Sequence, residues 1–272
     1  MRPKIACKLF VTDLDGTILV DEGPQGARLP ERSMAALRRL SESGVTVCLA
    51  SGRMHESIRS VSASWGFRGP VISYNGAMIR LDDDSLLSHD PLDTAVSDEL
   101  VEMAESRGLP LNFYSDGRIL SKRFHPWWDL YEGRTCSPMQ EVKSLLPYRG
   151  NSATKLLIMS DPGRIRELEA EFKPRFRESA NVLVTNDEYL EFMAPTVHKG
   201  MALARLAAHL GVGAEDIVAA GDGTNDIEML QGAGCAVAVR EGRPALLKVA
   251  QHVVAGPAQH GVAEFIETHL LG

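Results

Sequence analysis

The sequence predicts an α/β protein: a doubly wound, Rossmann-like parallel sheet with an α+β domain inserted into it. Three observations carry that reading. Unbroken apolar and β-branched runs recur near both ends of the chain, around 8–12, 45–50, 217–221 and 235–239. Such runs suit strands buried on both faces. In the first eighty residues they alternate with helical periodicity, giving strand, helix, strand, helix, strand. In the middle of the chain the texture changes, and strands come in pairs as well as with helices, which suits an antiparallel sheet. The reading therefore assigns residues 1–82 and 189–272 to a core and 83–188 to an inserted domain.

Each element has a local reason. Residues 8–12 read as the first strand. A helix over 30–43 is opened by Pro30, carries Met34, Leu37 and Leu40 at helical spacing, and is closed by Gly44. VTVCLA (45–50) is a buried strand and 55–65 is helical. PVISYNGAMIRL (70–81) gives two short strands around the Asn75-Gly76 turn. The insert contains a helix near 94–107, a hairpin at LNFYSDGRILS, an irregular stretch over 124–138, a strand at 154–160, a helix near 162–172 and a strand at 181–186. The first texture then returns. HKGMALARLAAHLG is a helix closed by Gly211, DIVAAGDG is a strand ending in an acid, and CAVAV is a further buried strand.

Composition narrows the class. At 272 residues, 44% hydrophobic and 24% charged, the chain has the make-up of an ordinary globular protein. A net charge of -7 argues against a general nucleic-acid surface. No apolar run approaches the roughly 18 residues that span a bilayer. The short N-terminal apolar stretch runs straight into acids, unlike a signal peptide, so the cytoplasm is the expected compartment. Cys7, Cys48, Cys136 and Cys235 form no CxxC pair, and they are expected as reduced, mostly buried thiols.

Three core strands end in polar groups at the edge where open parallel sheets bind ligands. The first gives Asp13-Leu14-Asp15-Gly16-Thr17, the second Ser51-Gly52-Arg53, and the third Gly221-Asp222-Gly223-Thr224-Asn225-Asp226; Lys199 stands near the start of a helix. Carboxylates placed behind an apolar strand repel one another and cost free energy to bury. A hard cation screens such carboxylates, and Mg²⁺ prefers oxygen ligands and shares them with phosphate. Ser51, Lys199 and Asn225 are suited to holding phosphate oxygens.

The DxDGT, Ser, Lys and GDxxND segments, in that chain order, resemble the haloacid dehalogenase superfamily. The placement of the insert, between Ser51 and Lys199, resembles the Cof-type phosphatases with a large α/β cap, and EFMAPTVHKGMALARLAAHLG, VAAGDGTNDIEMLQGAGCAVAV and the YNGA turn resemble that subfamily. The resemblance implies roles. Asp13 is the nucleophile, forming an aspartyl-phosphate, and Asp15 is the general acid and then the base. Leu14 (through its backbone N–H), Ser51, Gly52, Lys199 and Asn225 bind phosphate. Mg²⁺ is held by Asp13, the Asp15 carbonyl and Asp222, with Asp226 supporting it through water. Two residues of separation are expected to put Asp13 and Asp15 on the same side of an extended strand. An acid at position 15 points to phosphate and away from carbon–halogen cleavage. The implied enzyme is a Mg²⁺-dependent phosphatase of small phosphorylated metabolites, either sugar phosphates or phosphorylated cofactors. It is expected as a monomer or homodimer, without nucleic-acid or membrane partners, and with its insert as a lid. The alternatives are a phosphomutase and a non-catalytic phosphate-ligand binding protein.

Other residues have plainer readings beside functional ones. Arg53 either steers phosphate or stabilises its loop. Asn75-Gly76 is most simply a turn, with a role facing substrate as its functional reading, and the acids at 82–84 are a solvated hinge and not a metal site. Trp127, Trp128 and His125 are either local packing or a substrate pocket in the insert.

Overall fold

The computed structural model describes residues 5–21, 27–123, 126–135 and 139–272. The chain divides into two compact units, Met1–Ser88 with His198–Gly272, and His89–Val197.

The first unit begins with β1 (Leu9–Thr12), a small antiparallel pair β2 (Val20–Asp21) and β3 (Ala27–Arg28), and α1 (Glu31–Glu42). Then come β4 (Thr46–Ala50), α2 (His55–Ala63), β5 (Val71–Ser73), β6 (Met78–Arg80) and β7 (Leu86–His89). The second unit supplies α3 (Thr94–Arg107), β8 (Leu111–Ser115), β9 (Arg118–Ser121), α4 (Trp127–Thr135), β10 (Met139–Glu141), β11 (Lys155–Met159), α5 (Pro162–Arg175), β12 (Asn181–Asn186) and β13 (Tyr189–Met193). The chain returns to the first unit with α6 (Lys199–Leu210), β14 (Ile217–Gly221), α7 (Ile227–Gln231), β15 (Cys235–Val239), α8 (Pro244–Leu247), β16 (His252–Val254) and α9 (Gly261–Phe265).

The large sheet of the first unit has the order β16-β15-β14-β1-β4-β5-β6-β7. It is parallel from β16 to β5, and β6 runs antiparallel to β5. Successive strand residues face opposite layers. Phe10, Val47, Leu49, Val218 and Ala220 pack with Leu37 and Leu40 of α1 and with Val262 and Phe265 of α9. Leu9, Val11, Cys48 and Ala219 pack on the other face with Leu203 and Leu206 of α6 and with Met229 and Leu230 of α7. Two covered faces account for strands with no polar alternation.

β1 lies between β4, which follows it in sequence, and β14, which comes from the far end of the chain. The strand order therefore reverses at β1. The carboxyl ends of β4, β1 and β14 are neighbours, and their loops meet where such sheets open a crevice.

The second unit has a sheet of order β10-β9-β8-β11-β13-β12, antiparallel except for the β9/β10 pair. Its hydrophobic core joins Leu100 and Val101 of α3, Leu168 and Phe172 of α5, and Phe113, Leu156 and Phe192 from the strands. Asp93 caps α3, its Oδ1 accepting from the Ala95 N–H at 2.8 Å, and Gly108 ends the helix in a left-handed conformation.

Four expectations are corrected. The unit boundary falls after Ser88 and not after residue 82, because β7 extends the first sheet. Residues 189–197 belong to the second unit, because β13 pairs with both β11 and β12. Part of the stretch read as irregular is the helix α4. In it Trp128 is buried with the Arg123 guanidinium 4.6 Å from its ring centre, a packing arrangement, while His125 and Cys136 lie outside the described residues. Asp84 is more than a solvated acid. It turns the chain with φ 67 between β6 and β7, and its carboxylate meets His55 at 2.8 Å and Arg59 at 3.3 Å.

Candidate active site

β1 ends at Thr12, so Asp13 and Asp15 lie beyond the strand and not on one side of it. The Asp13 N–H donates to the Ala220 carbonyl at 2.9 Å, which pins the nucleophile candidate to β14. The chain then turns. The Leu14 carbonyl accepts from the N–H groups of Thr17, Ile18 and Leu19 at 3.3, 3.0 and 2.9 Å, and the Leu14 side chain is fully buried. Gly16 stands in this turn at φ +79, and a Cβ there would collide with the Asp222 carboxylate. The missing side chain lets Asp222 close on the turn, where the Thr17 hydroxyl donates to its Oδ1 at 3.0 Å.

Lys199 is the first residue of α6, just after His198, whose Nδ1 accepts from the Met201 N–H at 3.1 Å. The lysine is 0% exposed. Lysines are almost never enclosed unless paired, and this one donates to Asp13 Oδ1 and Asp226 Oδ1, both at 2.6 Å. The second oxygen of Asp226 accepts from the N–H groups of Asp222 at 3.1 Å and Gly223 at 2.9 Å. Asp226 thus folds the loop after β14 and anchors the lysine at once.

The charges do not balance. Carboxylate oxygens of Asp13, Asp222 and Asp226 lie within 4.8 Å of one another around a single ammonium. At that separation each pair of like charges repels by about 3 kcal/mol at an effective dielectric constant near 20. Burial, followed by the neighbouring carboxylates, raises Asp13 well above the usual carboxylate range in spite of Lys199. Burial and Asp226 push Asp222 up to about 6. Burial disfavours the charge on Lys199, but Asp13 and Asp226 outweigh it and hold the ammonium protonated. Excess negative charge on oxygen-only donors fits a hard divalent cation such as Mg²⁺.

The remaining candidates group around a second centre. Asp15 is half exposed and held by both nitrogens of an Arg53 fork at 2.6 and 2.7 Å. The Arg53 N–H donates to Ser51 Oγ at 3.2 Å, and Ser51 is buried. Asn225 Nδ2 donates to Asn75 Oδ1 at 2.9 Å. Sequence reasoning assigned no role to Thr17, which holds Asp222, nor a partner to Asn75, which holds Asn225. The Gly-Thr of DxDGT and the Asn-Gly turn were visible as signals, but their partners lie 205 and 150 residues away.

The family model described as haloacid dehalogenase-like hydrolase matches residues 10–266. The HMP-PP phosphatase of Cronobacter sakazakii is 27% identical over 267 residues, covering 97% of this chain and 96% of the relative. The Bacillus subtilis 5-amino-6-(5-phospho-D-ribitylamino)uracil phosphatase YitU is 27% identical over 277 residues, covering 96% and 97% of the two chains. The crystal structure of a haloacid dehalogenase-like hydrolase from Bacteroides thetaiotaomicron superposes with a TM-score of 0.87 at 27% identity, over 96% of this chain and 98% of that one.

Proposed function

The chain belongs to the haloacid dehalogenase-like hydrolases and is a phosphoric monoester hydrolase, and on that premise we propose that it is a Mg²⁺-dependent phosphatase of small phosphorylated metabolites acting through Asp13. The observation that carries the reading is the enclosed Lys199 ammonium 2.6 Å from Asp13 within a group of three carboxylates. Such a centre aligns a carboxylate nucleophile beside one enclosed ammonium, and positioning and charge neutralisation are most of what phosphoryl transfer requires.

In the first half-reaction an Asp13 oxygen attacks phosphorus. The new O–P bond forms as the bond to the leaving oxygen breaks, and Asp15 gives that oxygen its proton. In the second half, Asp15 takes a proton from water as the water oxygen attacks the acyl phosphate. Inorganic phosphate leaves and Asp13 is restored. Lys199, Ser51, the Gly52 and Leu14 N–H groups and Asn225 hold the phosphoryl oxygens. Asp13, the Asp15 carbonyl and Asp222 would hold Mg²⁺, with Asp226 supporting them. When bound, the ion offsets negative charge on the carboxylates and the phosphoryl oxygens.

The relatives act, by their names, on HMP-PP and on a phosphoribitylamino uracil. That supports phosphorylated heterocycles and sugar phosphates as the substrate class here, with the second unit in the role of specificity cap. The test is phosphate release from a panel of such esters with Mg²⁺ and with EDTA, beside Asp13→Asn. The expected result is release that needs the metal and vanishes in the variant. Full activity in Asp13→Asn, with deamidation excluded by mass, overturns the mechanism. Transfer to a sugar hydroxyl in place of water would make the enzyme a phosphomutase.

A further inference from the structure

We propose that Asn75 is a positioning residue that sets the phosphate-holding groups of two separate loops, a role that rests on the phosphatase reading above. Tyr74 and Asn75 follow β5 with φ of 51 and 54, consecutive left-handed conformations that side-chain-bearing residues rarely adopt. The conformation is over-determined by the loop after β4. The Tyr74 N–H donates to the Arg53 carbonyl at 2.9 Å, and the Asn75 N–H to the Ser51 carbonyl at 3.0 Å. Backbone strain held in this way concentrates at functional sites.

The Asn75 side chain shows what the turn accomplishes. It is 1% exposed. Its Oδ1 accepts from Asn225 Nδ2 at 2.9 Å, which fixes the direction of the Asn225 carboxamide. The same amide lies against Gly52, where an added Cβ would come within 3.0 Å of both Nδ2 and Oδ1. One buried amide therefore touches a group from the loop after β4 and a group from the loop after β14. Both groups belong to the phosphate cradle in the proposed mechanism, and Asn75 itself is assigned no phosphate contact. Without the amide, Asn225 loses the acceptor that orients it, and Gly52 loses the surface it packs against.

Two variants separate this role from a structural one. Asn75→Gly deletes the amide and suits the left-handed backbone, whereas Asn75→Ala deletes the amide and adds strain. Kinetics with p-nitrophenyl phosphate, product inhibition by inorganic phosphate, and thermal melting are measured for both. The expected result is a rise of about tenfold in KM and in the phosphate inhibition constant in both variants, with kcat changed less. The Ala variant melts lower than the Gly variant. In an Asn225→Ala background the Asn75→Gly effect shrinks to under about threefold, because the two act as a unit. An Asn75→Gly enzyme within twofold of the wild type overturns the role, as do losses that multiply fully in the double variant or follow the melting temperature. A wild-type protein that releases phosphate from no ester overturns the phosphatase reading and this role with it. An active wild type with an unaffected Asn75→Gly overturns the role alone.

Discussion

Among the described residues two lysines are fully enclosed, one in each unit, and their surroundings differ. Lys155 of β11 pairs with Glu191 of β13 at 2.9 Å, side chains 2% and 6% exposed, with the Tyr114 ring centre 4.7 Å from its Nζ. One positive charge, at the first residue of β11, meets one negative charge in the middle of β13. Lys199 stands at the start of a helix beyond the strand ends, facing Asp13 and Asp226, with Asp222 close by. There the negative charge exceeds the positive, and Asp13 and Asp222 are both raised above the usual carboxylate range, chiefly by burial. A buried ion pair is weak evidence of function, since balanced pairs occur as structure. An enclosed, unbalanced cluster is stronger evidence, because the fold keeps a repulsion that a bound cation would relieve.

The largest test of this contrast is Asp13→Asn. Phosphate release is expected to fall by about 10⁴-fold or more, the range found when a nucleophile is removed. In EDTA the melting temperature is expected not to fall, because one of three crowded carboxylates has become neutral. A variant that is inactive only because it is unfolded would break the contrast. Lys199→Met comes next. It leaves Asp13 and Asp226 facing each other without their cation, with an expected activity loss of about 10³-fold and a destabilisation of about 3–5 kcal/mol. Urea denaturation and kinetics on the same preparation check both parts.

The balanced pair is expected to respond differently. Lys155→Met alone strands a buried Glu191 and is expected to cost about 3–5 kcal/mol, whereas Lys155→Met with Glu191→Leu is expected within about 1 kcal/mol of the wild type. Turnover of p-nitrophenyl phosphate should stay within about threefold in the double variant, since neither residue belongs to the proposed machinery. A double variant that melts normally and is inactive would show that balance does not separate structural from functional burial.

The two clusters were unequally legible in the sequence. The acids and Lys199 were readable because they stand after apolar strands in a fixed order, and the parallel sheet brings those strand ends together wherever the intervening chain goes. The Lys155–Glu191 pair carried no signal, because TKLLIMS reads as an ordinary strand, YLEFM is assigned no element, and the pairing depends on an antiparallel neighbour. The same gap explains the misplaced boundary at 189. Only pairing to β11 and β12 assigns YLEFM to the second unit. The Arg53 fork on Asp15 was out of reach for a further reason. It depends on side-chain direction across 38 residues, which strand periodicity does not set once the strand has ended.

The smallest expected effect tests the charge imbalance without mutation. Asp222 in the folded protein is pushed up to about 6, against roughly 4 for a free carboxylate. A group raised by folding stabilises the metal-free protein below its unfolded value, and that contribution is lost as pH rises through its folded value. Asp13, raised for the same reasons, has the same sign. Mg²⁺ competes with these protons, so its apparent affinity should climb as pH rises through the Asp222 value near 6. At saturating metal the melting temperature should rise by about 5 °C at pH 7.5 and by much less at pH 5. Differential scanning calorimetry with and without Mg²⁺ at the two pH values measures this directly. An equal shift at both would mean that the metal does not draw on the carboxylates that burial has raised, and the unbalanced cluster would then need another explanation.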